Sequence, residues 1–93
     1  MQVKFSPEAE LELQEAFDWY ELQSTGLGFE FARAVESAVN LISRNPLVYP
    51  KIEADFRRIL LRKFPFMLVY VELNSTLLVI SCFHQMRKPK SWV

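Results

Sequence analysis

Two almost wholly apolar segments follow one another in the second half of the chain, and they constrain the fold more than any other feature. Residues 66–73 and 76–83 are rich in Leu, Val, Ile, Phe and Tyr, and only Asn74-Ser75 separates them. This composition predicts two strands, and the two-residue connection predicts a tight β-hairpin. Strands this apolar belong in the middle of a sheet, so we expect another layer to cover one of their faces.

The covering layer is predicted in the first half of the chain, where apolar residues recur at helical spacing. Ser6-Pro7 is placed to cap and begin a first helix, and residues 24–28 hold both glycines and should end it. A second helix is predicted over residues 29–44, because Asn45-Pro46 disfavours further helix. The short connection predicts an antiparallel helical hairpin. The expected apolar faces consist of Ala9, Leu13, Ala16, Phe17 and Tyr20, and of Phe31, Val35, Ala38, Val39 and Ile42.

The remaining segments complete an α+β prediction. Residues 2–5 are expected to form a short strand, residues 46–55 a connecting loop, and residues 57–63 a strand in which Ile59 and Leu61 alternate with more polar positions. The predicted order is β-α-α-β-β-β, with the helical hairpin packed on one mostly antiparallel sheet. Because 93 residues suffice for one hydrophobic core, we expect a single domain over residues 1–93.

Several classes of protein are disfavoured by what the sequence lacks. The single cysteine, Cys82, cannot form an internal disulfide and is expected to be a small core residue, which favours a cytoplasmic location. No segment resembles a signal peptide or has the ~20 apolar residues of a membrane span. One histidine and one cysteine are too few for a usual zinc site, and the two glycines form no phosphate loop. We therefore expect no metal, no cofactor and no membrane contact.

The net charge of zero conceals two halves of opposite sign. Residues 1–55 contain ten acidic and four basic residues, a net charge of −6, whereas residues 56–93 contain one acidic and seven basic residues, a net charge of +6. The basic half could simply present solvated side chains. Alternatively, such a charge separation can steer a polyanion or an acidic protein segment to the sheet.

The basic residues fall into two groups that can share one face of the sheet if the strands pair in the predicted order. A histidine beside arginines can cleave RNA, with His84 transferring a proton and a guanidinium stabilising the phosphate. His84 could instead only cap a strand end, and the arginines could bind anions or acidic partners. Trp92 is expected to be a packing anchor or, less favoured, a stacking platform. The two groups comprise Arg57, Arg58 and Arg62 on the 57–63 strand and His84, Arg87, Lys88 and Lys90 beyond the last strand.

An ordered series of short motifs resembles the RelE/ParE toxin superfamily, in particular its ParE-like, plasmid-stabilisation branch. The resemblance covers essentially the whole chain. Its most specific parts are the Arg-Arg strand, the Phe-Pro-aromatic turn and the His-x-x-Arg-x-Pro end. The motifs are Phe5-Ser6-Pro7-Glu8-Ala9, Trp19-Tyr20, Gly26-Leu27-Gly28, Asn45-Pro46, Arg57-Arg58, Phe64-Pro65-Phe66, Val69-Tyr70 and His84-x-x-Arg87-x-Pro89-x-x-Trp92.

The resemblance implies the toxin of a type II toxin–antitoxin system, neutralised by a small antitoxin that has a DNA-binding domain. ParE-like members inhibit DNA gyrase, whereas RelE-like members are metal-independent endoribonucleases that cut mRNA on the ribosome. On the RelE-like alternative, His84, Arg58 and Arg87 would be catalytic. However, Gln85 stands where some nuclease members have a catalytic tyrosine, and their lysine-rich set is not recognisable, so the ParE-like interpretation is favoured. A third hypothesis is a non-toxic module that only binds an antitoxin.

The surface that binds the antitoxin is expected to combine two features. The apolar side chains of Leu11, Trp19 and Leu22 fall outside the main stripe of the first helix and either widen it or form an exposed apolar strip. With the apolar rim of this helix, they offer a face for an antitoxin helix. The basic sheet offers counter-charges for acidic residues of the antitoxin, so the stability of the complex should fall with salt. Predicted target- or antitoxin-binding residues are Arg57, Arg58, Arg62, Arg87, Lys88, Lys90, Trp92, Leu11 and Trp19.

Overall fold

The computed structural model describes residues 1–86, which form a five-stranded sheet with two helices packed on one face. The strands lie in the order β1-β5-β4-β3-β2, and every neighbouring pair is antiparallel except β1 with β5. The predicted α+β architecture with a mostly antiparallel sheet is therefore confirmed. In chain order, the elements are β1 (Gln2–Phe5), α1 (Pro7–Gln23), α2 (Leu27–Arg44), β2 (Lys51–Glu53), β3 (Phe56–Leu60), β4 (Phe66–Leu73) and β5 (Thr76–His84).

The hairpin of β4 and β5 forms where the apolar pattern predicts it. Asn74 and Ser75 have φ angles of 51° and 62°, as a two-residue type I′ turn requires. The strand register then shifts once, because Val69 pairs with Ser81 whereas Tyr70 pairs with Val79. The residue left over at position 80 is a β-bulge in β5. Beyond this bulge, Cys82 belongs to the core beneath the helices.

Three predicted segments differ from those in the structure. The loop expected over residues 46–55 contains β2, because Lys51 pairs with Arg57 along the otherwise open edge of β3. The strand expected over residues 57–63 ends at Leu60, and the chain turns back to β4 through Lys63, which has a φ of 70°. Helix α2 begins two residues earlier than expected, at Leu27.

Local hydrogen bonds hold the helix ends as the sequence indicates. The Ser6 hydroxyl accepts a hydrogen bond from the Ala9 N–H (3.1 Å), and Pro7 is the first residue of α1. Between the helices, the Glu21 carboxylate accepts hydrogen bonds from the N–H groups of Gly26 and Gly28, both at 2.9 Å. Since helix N-termini leave N–H groups unsatisfied and attract negative charge, Glu21 acts as the cap of α2.

The core lies between the helices and the sheet, and α2 supplies most of the helical share of it. Phe31 is 1% exposed and contacts the rings of Phe64 and Phe66 at 5.4 and 5.2 Å. From α1, only Ala9 and Ala16 are buried. The sheet contributes Ile59, Leu68, Tyr70, Leu77, Val79 and Cys82, and the turn between β3 and β4 contributes Leu61 and Phe64. Burial of Cys82 as a core residue is therefore confirmed.

Candidate binding surface

A groove of about 520 Å³ separates the outer side of α1 from the end of the β4–β5 hairpin strands. The groove is open to solvent, and we refer to it as the α1 groove. One wall comes from α1 and carries two carboxylates and two aromatic rings. The opposite wall comes from the start of β4 and the end of β5. The lining residues are Glu12, Glu15, Ala16, Trp19 and Tyr20 on α1, and Pro65, Phe66, Cys82 and His84 on the sheet.

Aromatic rings in edge-to-face contact connect the two walls of the groove. Tyr20 contacts Phe64 and Phe66 with ring centroids 4.9 and 6.1 Å apart, and Trp19 contacts Tyr20 at 5.2 Å. Phe66 in turn contacts the ring of its cross-strand partner His84 at 5.2 Å. Because Phe66 packs on the core, these contacts hold the wall of the groove in a fixed position.

Glu12 joins α1 to the bulged part of β5. Its Oε1 accepts a hydrogen bond from the Cys82 N–H (2.9 Å) and another from the Ser81 hydroxyl (3.0 Å). β1 pairs with β5 only as far as Val79, so the carboxylate takes the place of a neighbouring strand beyond that point. An acidic residue beside the apolar stripe of a helix usually faces solvent, but Glu12 is partly buried because the helix lies against the free edge of β5.

Burial shapes the acid–base behaviour of two groups in the groove. Burial raises the pKa of the Cys82 thiol to about 12, and the negative charge of Glu12 acts in the same direction. Burial also raises the pKa of the Tyr20 hydroxyl, with a smaller contribution from Cys82. Since a thiol must ionise to act as a nucleophile, Cys82 is a structural group at neutral pH.

His84 lies on the sheet wall of the groove, and one of its ring nitrogens is already engaged. Nδ1 accepts a hydrogen bond from the Met86 N–H (3.0 Å), so the neutral ring carries its proton on Nε2. The two carboxylates across the groove make the surroundings of His84 acidic. This environment suits a cation and disfavours a phosphate group.

Three large apolar side chains extend the groove onto the exposed side of α1. Leu11, Trp19 and Leu22 are 60%, 57% and 84% exposed. Together with Glu15 they occupy positions i, i+4, i+8 and i+11, which lie on one side of an α-helix. The predicted exposed apolar strip on the first helix is therefore present.

Arg57 is anchored inside the fold instead of being free for a partner. Its Nη1 donates hydrogen bonds to the carbonyl oxygens of Leu47 and Tyr49, at 3.1 and 2.7 Å. The hydroxyl of its cross-strand neighbour Tyr70 donates a hydrogen bond to the Pro46 carbonyl oxygen (2.6 Å). Burial raises the pKa of Tyr70 to about 12, and the positive charge of Arg57 partly opposes this increase. These bonds fasten the connection between α2 and β2 onto the sheet.

The other predicted basic residues are not gathered on one face, so that expectation is wrong for the described part of the chain. Arg58 pairs with Val69 and His84 pairs with Phe66. Val69 and Phe66 are three residues apart on β4, so Arg58 and His84 point to opposite faces of the sheet. Arg62 lies elsewhere again, in a shallow cleft against α2. Arg87, Lys88, Lys90 and Trp92 lie outside the described residues.

Two groove residues, Glu15 and Tyr20, are not among the predicted site residues. Glu15 is one of several acidic residues on α1, and Tyr20 belongs to the predicted apolar face of that helix. Neither side chain has a hydrogen-bond or ion-pair partner among residues 1–86. The available signal was their spacing, because residues 12, 15 and 19 flank the side of the apolar stripe of α1 on which Ala16 and Tyr20 lie.

The arrangement of two helices on one face of a sheet in the order β1-β5-β4-β3-β2 is that of the RelE/ParE-like fold, which defines the protein as a small α+β domain. The family model for the ParE toxin of the type II toxin–antitoxin system parDE matches residues 3–89, and the chain belongs to this family.

A solved structure supports the same fold. The chromosomal ParDE toxin–antitoxin system from P. aeruginosa includes a chain that is similar to this one, with a TM-score of 0.65 and 17% sequence identity. The match covers 90% of this chain and 95% of that one. No curated protein matches the chain at a significant level. Within residues 1–86, no helix is long and apolar enough to cross a membrane.

Proposed function

We propose that the chain is the toxin of a type II toxin–antitoxin pair, that it inhibits DNA gyrase by binding, and that a small antitoxin with a DNA-binding domain neutralises it in the cytoplasm. Membership of the ParE family supports the toxin assignment. The similar chain from P. aeruginosa comes from a ParDE system, which supports an antitoxin partner.

The observation that carries the choice of binding over RNA cleavage is the separation of His84 from Arg58. A ribonuclease needs a proton-transfer group and a phosphate-binding cation around one scissile bond. Here the histidine lines the α1 groove across from Glu15, whereas Arg58 lies on the other face of the sheet. The RelE-like alternative would have to assemble its site around His84 without Arg58.

Gyrase is expected to meet the sheet through cations that the fold leaves available. Arg58 is partly exposed and Arg62 is exposed, and neither side chain has a hydrogen-bond partner among residues 1–86, in contrast to that of Arg57. Arg58 on β3 and Arg62 just beyond that strand can therefore contact an acidic surface without disturbing the core. Arg87, Lys88 and Lys90 belong to this proposal on the basis of the sequence.

One preparation of purified toxin can distinguish the activities. We expect the wild-type protein and His84→Ala to inhibit gyrase supercoiling equally, and we expect Arg58→Glu to weaken inhibition at least tenfold. Arg44→Glu, which makes the same charge change at the end of α2, is the matched control and should inhibit like the wild type.

The same preparation is added to translating ribosomes, and the mRNA is analysed for cleavage. Intact mRNA together with inhibited gyrase supports the proposal. Codon-dependent cleavage that disappears in His84→Ala would establish the endonuclease alternative instead. Absence of both activities, with growth unaffected by expression, would leave the non-toxic antitoxin-binding module.

A further inference from the structure

We propose that the α1 groove receives a basic side chain, arginine or lysine, from an amphipathic segment of the antitoxin whose apolar residues lie on Leu11, Trp19 and Leu22. This inference rests on the proposed function in one respect, namely that the partner is the cognate antitoxin. It adds the place of docking on the toxin and the chemistry of the segment that docks there.

The negative charge of the groove favours a partner segment of positive charge. Glu12 and Glu15 line it, and of the described residues around it none is lysine or arginine. Glu8 and Asp18 add further negative charge on the same helix. An acidic segment would be repelled here, although it remains suited to the basic sheet. The antitoxin is thus expected to present a basic segment to α1, opposite in sign to what the sheet favours.

The walls of the groove fit a cation better than a neutral polar group. The rings of Trp19 and Phe66 each contact the ring of Tyr20, and all three line the cavity. A guanidinium or ammonium group against such rings gains cation–π attraction, and the hydrocarbon stem of the side chain covers their apolar surface. A guanidinium group can in addition bind a carboxylate through two parallel hydrogen bonds.

Glu15 is the carboxylate placed to receive this cation. It is exposed at the rim, lies one turn before Trp19, and has no hydrogen-bond or ion-pair partner among residues 1–86. Glu12 also contributes charge, but its Oε1 already accepts the Cys82 N–H and the Ser81 hydroxyl. Replacing Glu15 therefore changes the proposed anchor without removing a hydrogen bond that holds the fold together.

The exposed apolar side chains determine how the docking segment lies. Leu11 and Leu22 are eleven residues apart on α1, close to three full turns, and Trp19 stands between them beside the groove. A partner helix with apolar residues at matching spacing would cover this strip. A basic residue on the edge of its apolar face would then reach the groove between Trp19 and His84.

The test uses the toxin and the antitoxin encoded by the neighbouring reading frame, with affinity measured by calorimetry. We expect Glu15→Lys to weaken binding at least tenfold and Glu15→Gln by a smaller factor. Glu36→Lys makes the same charge change on the exposed side of α2 and should bind within twofold of the wild type. Thermal unfolding of each free variant confirms that its fold is intact.

A charge exchange identifies the basic residue of the antitoxin. Each lysine and arginine of the docking segment is changed to glutamate in turn, and we expect one of these variants to recover affinity for Glu15→Lys while losing affinity for the wild type.

As a probe that needs no antitoxin, N-acetyl-arginine-amide at millimolar concentration should shift the NMR signal of the Trp19 indole N–H, whereas N-acetyl-glutamate-amide should not.

The possible failures of the two proposals are distinguishable. If the wild-type toxin binds its antitoxin tightly and Glu15→Lys binds it equally well or better, this inference is wrong while the toxin–antitoxin assignment stands. If the wild-type toxin binds no antitoxin, the proposed function itself is contradicted. The inference would also be overturned if N-acetyl-arginine-amide left the Trp19 signal unchanged up to 50 mM. That concentration is on the order of the dissociation constant of a very weak binding site.

Discussion

Helices α1 and α2 are nearly equal in length, with 17 and 18 residues, but they contribute very differently to the core. α2 buries Phe31, Val35, Ala38 and Ile42, with Gly28 packed at its start, whereas α1 buries only two alanines. α1 instead leaves Leu11, Trp19 and Leu22 exposed to solvent. The difference indicates that α2 holds the fold together while α1 combines a modest packing role with a surface for a partner.

The largest expected effect concerns α2. Phe31→Ala should destabilise the protein by ~3–5 kcal/mol, because it removes a fully buried ring that packs against Tyr20, Phe64 and Phe66. Urea unfolding followed by circular dichroism measures this loss. Phe29→Ala is the control on the same helix, since Phe29 is exposed and should cost less than ~1 kcal/mol. Equal losses for the two variants would contradict the assignment of the core to α2.

The second prediction is that α1 covers the sheet closely, although few of its residues are buried. At pH 8, the Cys82 thiol should react with a thiol reagent about a thousandfold more slowly in the folded protein than in the unfolded one. The reason is that burial raises the pKa of Cys82 to about 12, so that thiolate is rare below that pH.

The pH dependence provides the check on this prediction. A thiol with a raised pKa is neutral in the folded state, so its reactivity should increase as the pH rises from 8 towards 11. For the same reason, the stabilisation that comes from burying a neutral thiol is complete below the pKa of the unfolded state and is lost as the pH rises towards about 12. Rapid labelling at pH 8 would mean that α1 opens away from the sheet.

The elements that the sequence predicts best are those with a local cause. The two strands of the hairpin follow from their apolar composition and from the turn residues Asn74 and Ser75, and the start of α1 follows from Ser6-Pro7. β2 was missed because a three-residue segment with one apolar side chain becomes a strand only by pairing with the edge of β3.

The site was predicted less completely, since its geometry depends on contacts between distant segments. The alternation along β3 placed Arg57 and Arg58 on one strand, but only the folded chain brings the Leu47 and Tyr49 carbonyls to Arg57. Likewise, the role of Glu12 depends on where β1 stops pairing with β5 and on the bulge that follows. Neither the end of the β1–β5 pairing nor the β-bulge can be predicted from the local sequence pattern.

Glu12 and Glu15 provide a third comparison, made within α1. Glu12→Ala should cost ~1–3 kcal/mol of unfolding free energy, because it leaves the buried Ser81 hydroxyl and the Cys82 N–H without their acceptor. Glu15→Ala removes an exposed carboxylate and should change stability by less than ~0.5 kcal/mol. Chemical denaturation measures both. A stable Glu12→Ala would show that β5 does not depend on the carboxylate.

The junction of the two helices gives a fourth test. Gly28→Ala should destabilise by ~1–3 kcal/mol, although alanine usually favours a helix, because a Cβ would come within 2.8 Å of the Phe17 carbonyl oxygen and 2.9 Å of the Glu21 carboxylate. Gly26→Ala meets no atom within 4 Å and should cost only about 1 kcal/mol through its φ of 91°. A neutral or stabilising Gly28→Ala would mean that the helices can move apart at no cost.

The smallest expected effect is on the exposed strip of α1. Trp19→Ala and Leu22→Ala should each change the unfolding free energy by less than ~0.5–1 kcal/mol, because both side chains are mostly in contact with water. Leu41→Ala, at an exposed position of α2, is the matched control for stability. Thermal unfolding and antitoxin affinity are measured on the same samples. If Trp19→Ala and Leu22→Ala keep their stability but lose affinity, while Leu41→Ala keeps both, the outer side of α1 serves binding and not folding. If they unfold as readily as Phe31→Ala, α1 is a structural helix like α2 and the comparison between the two helices fails.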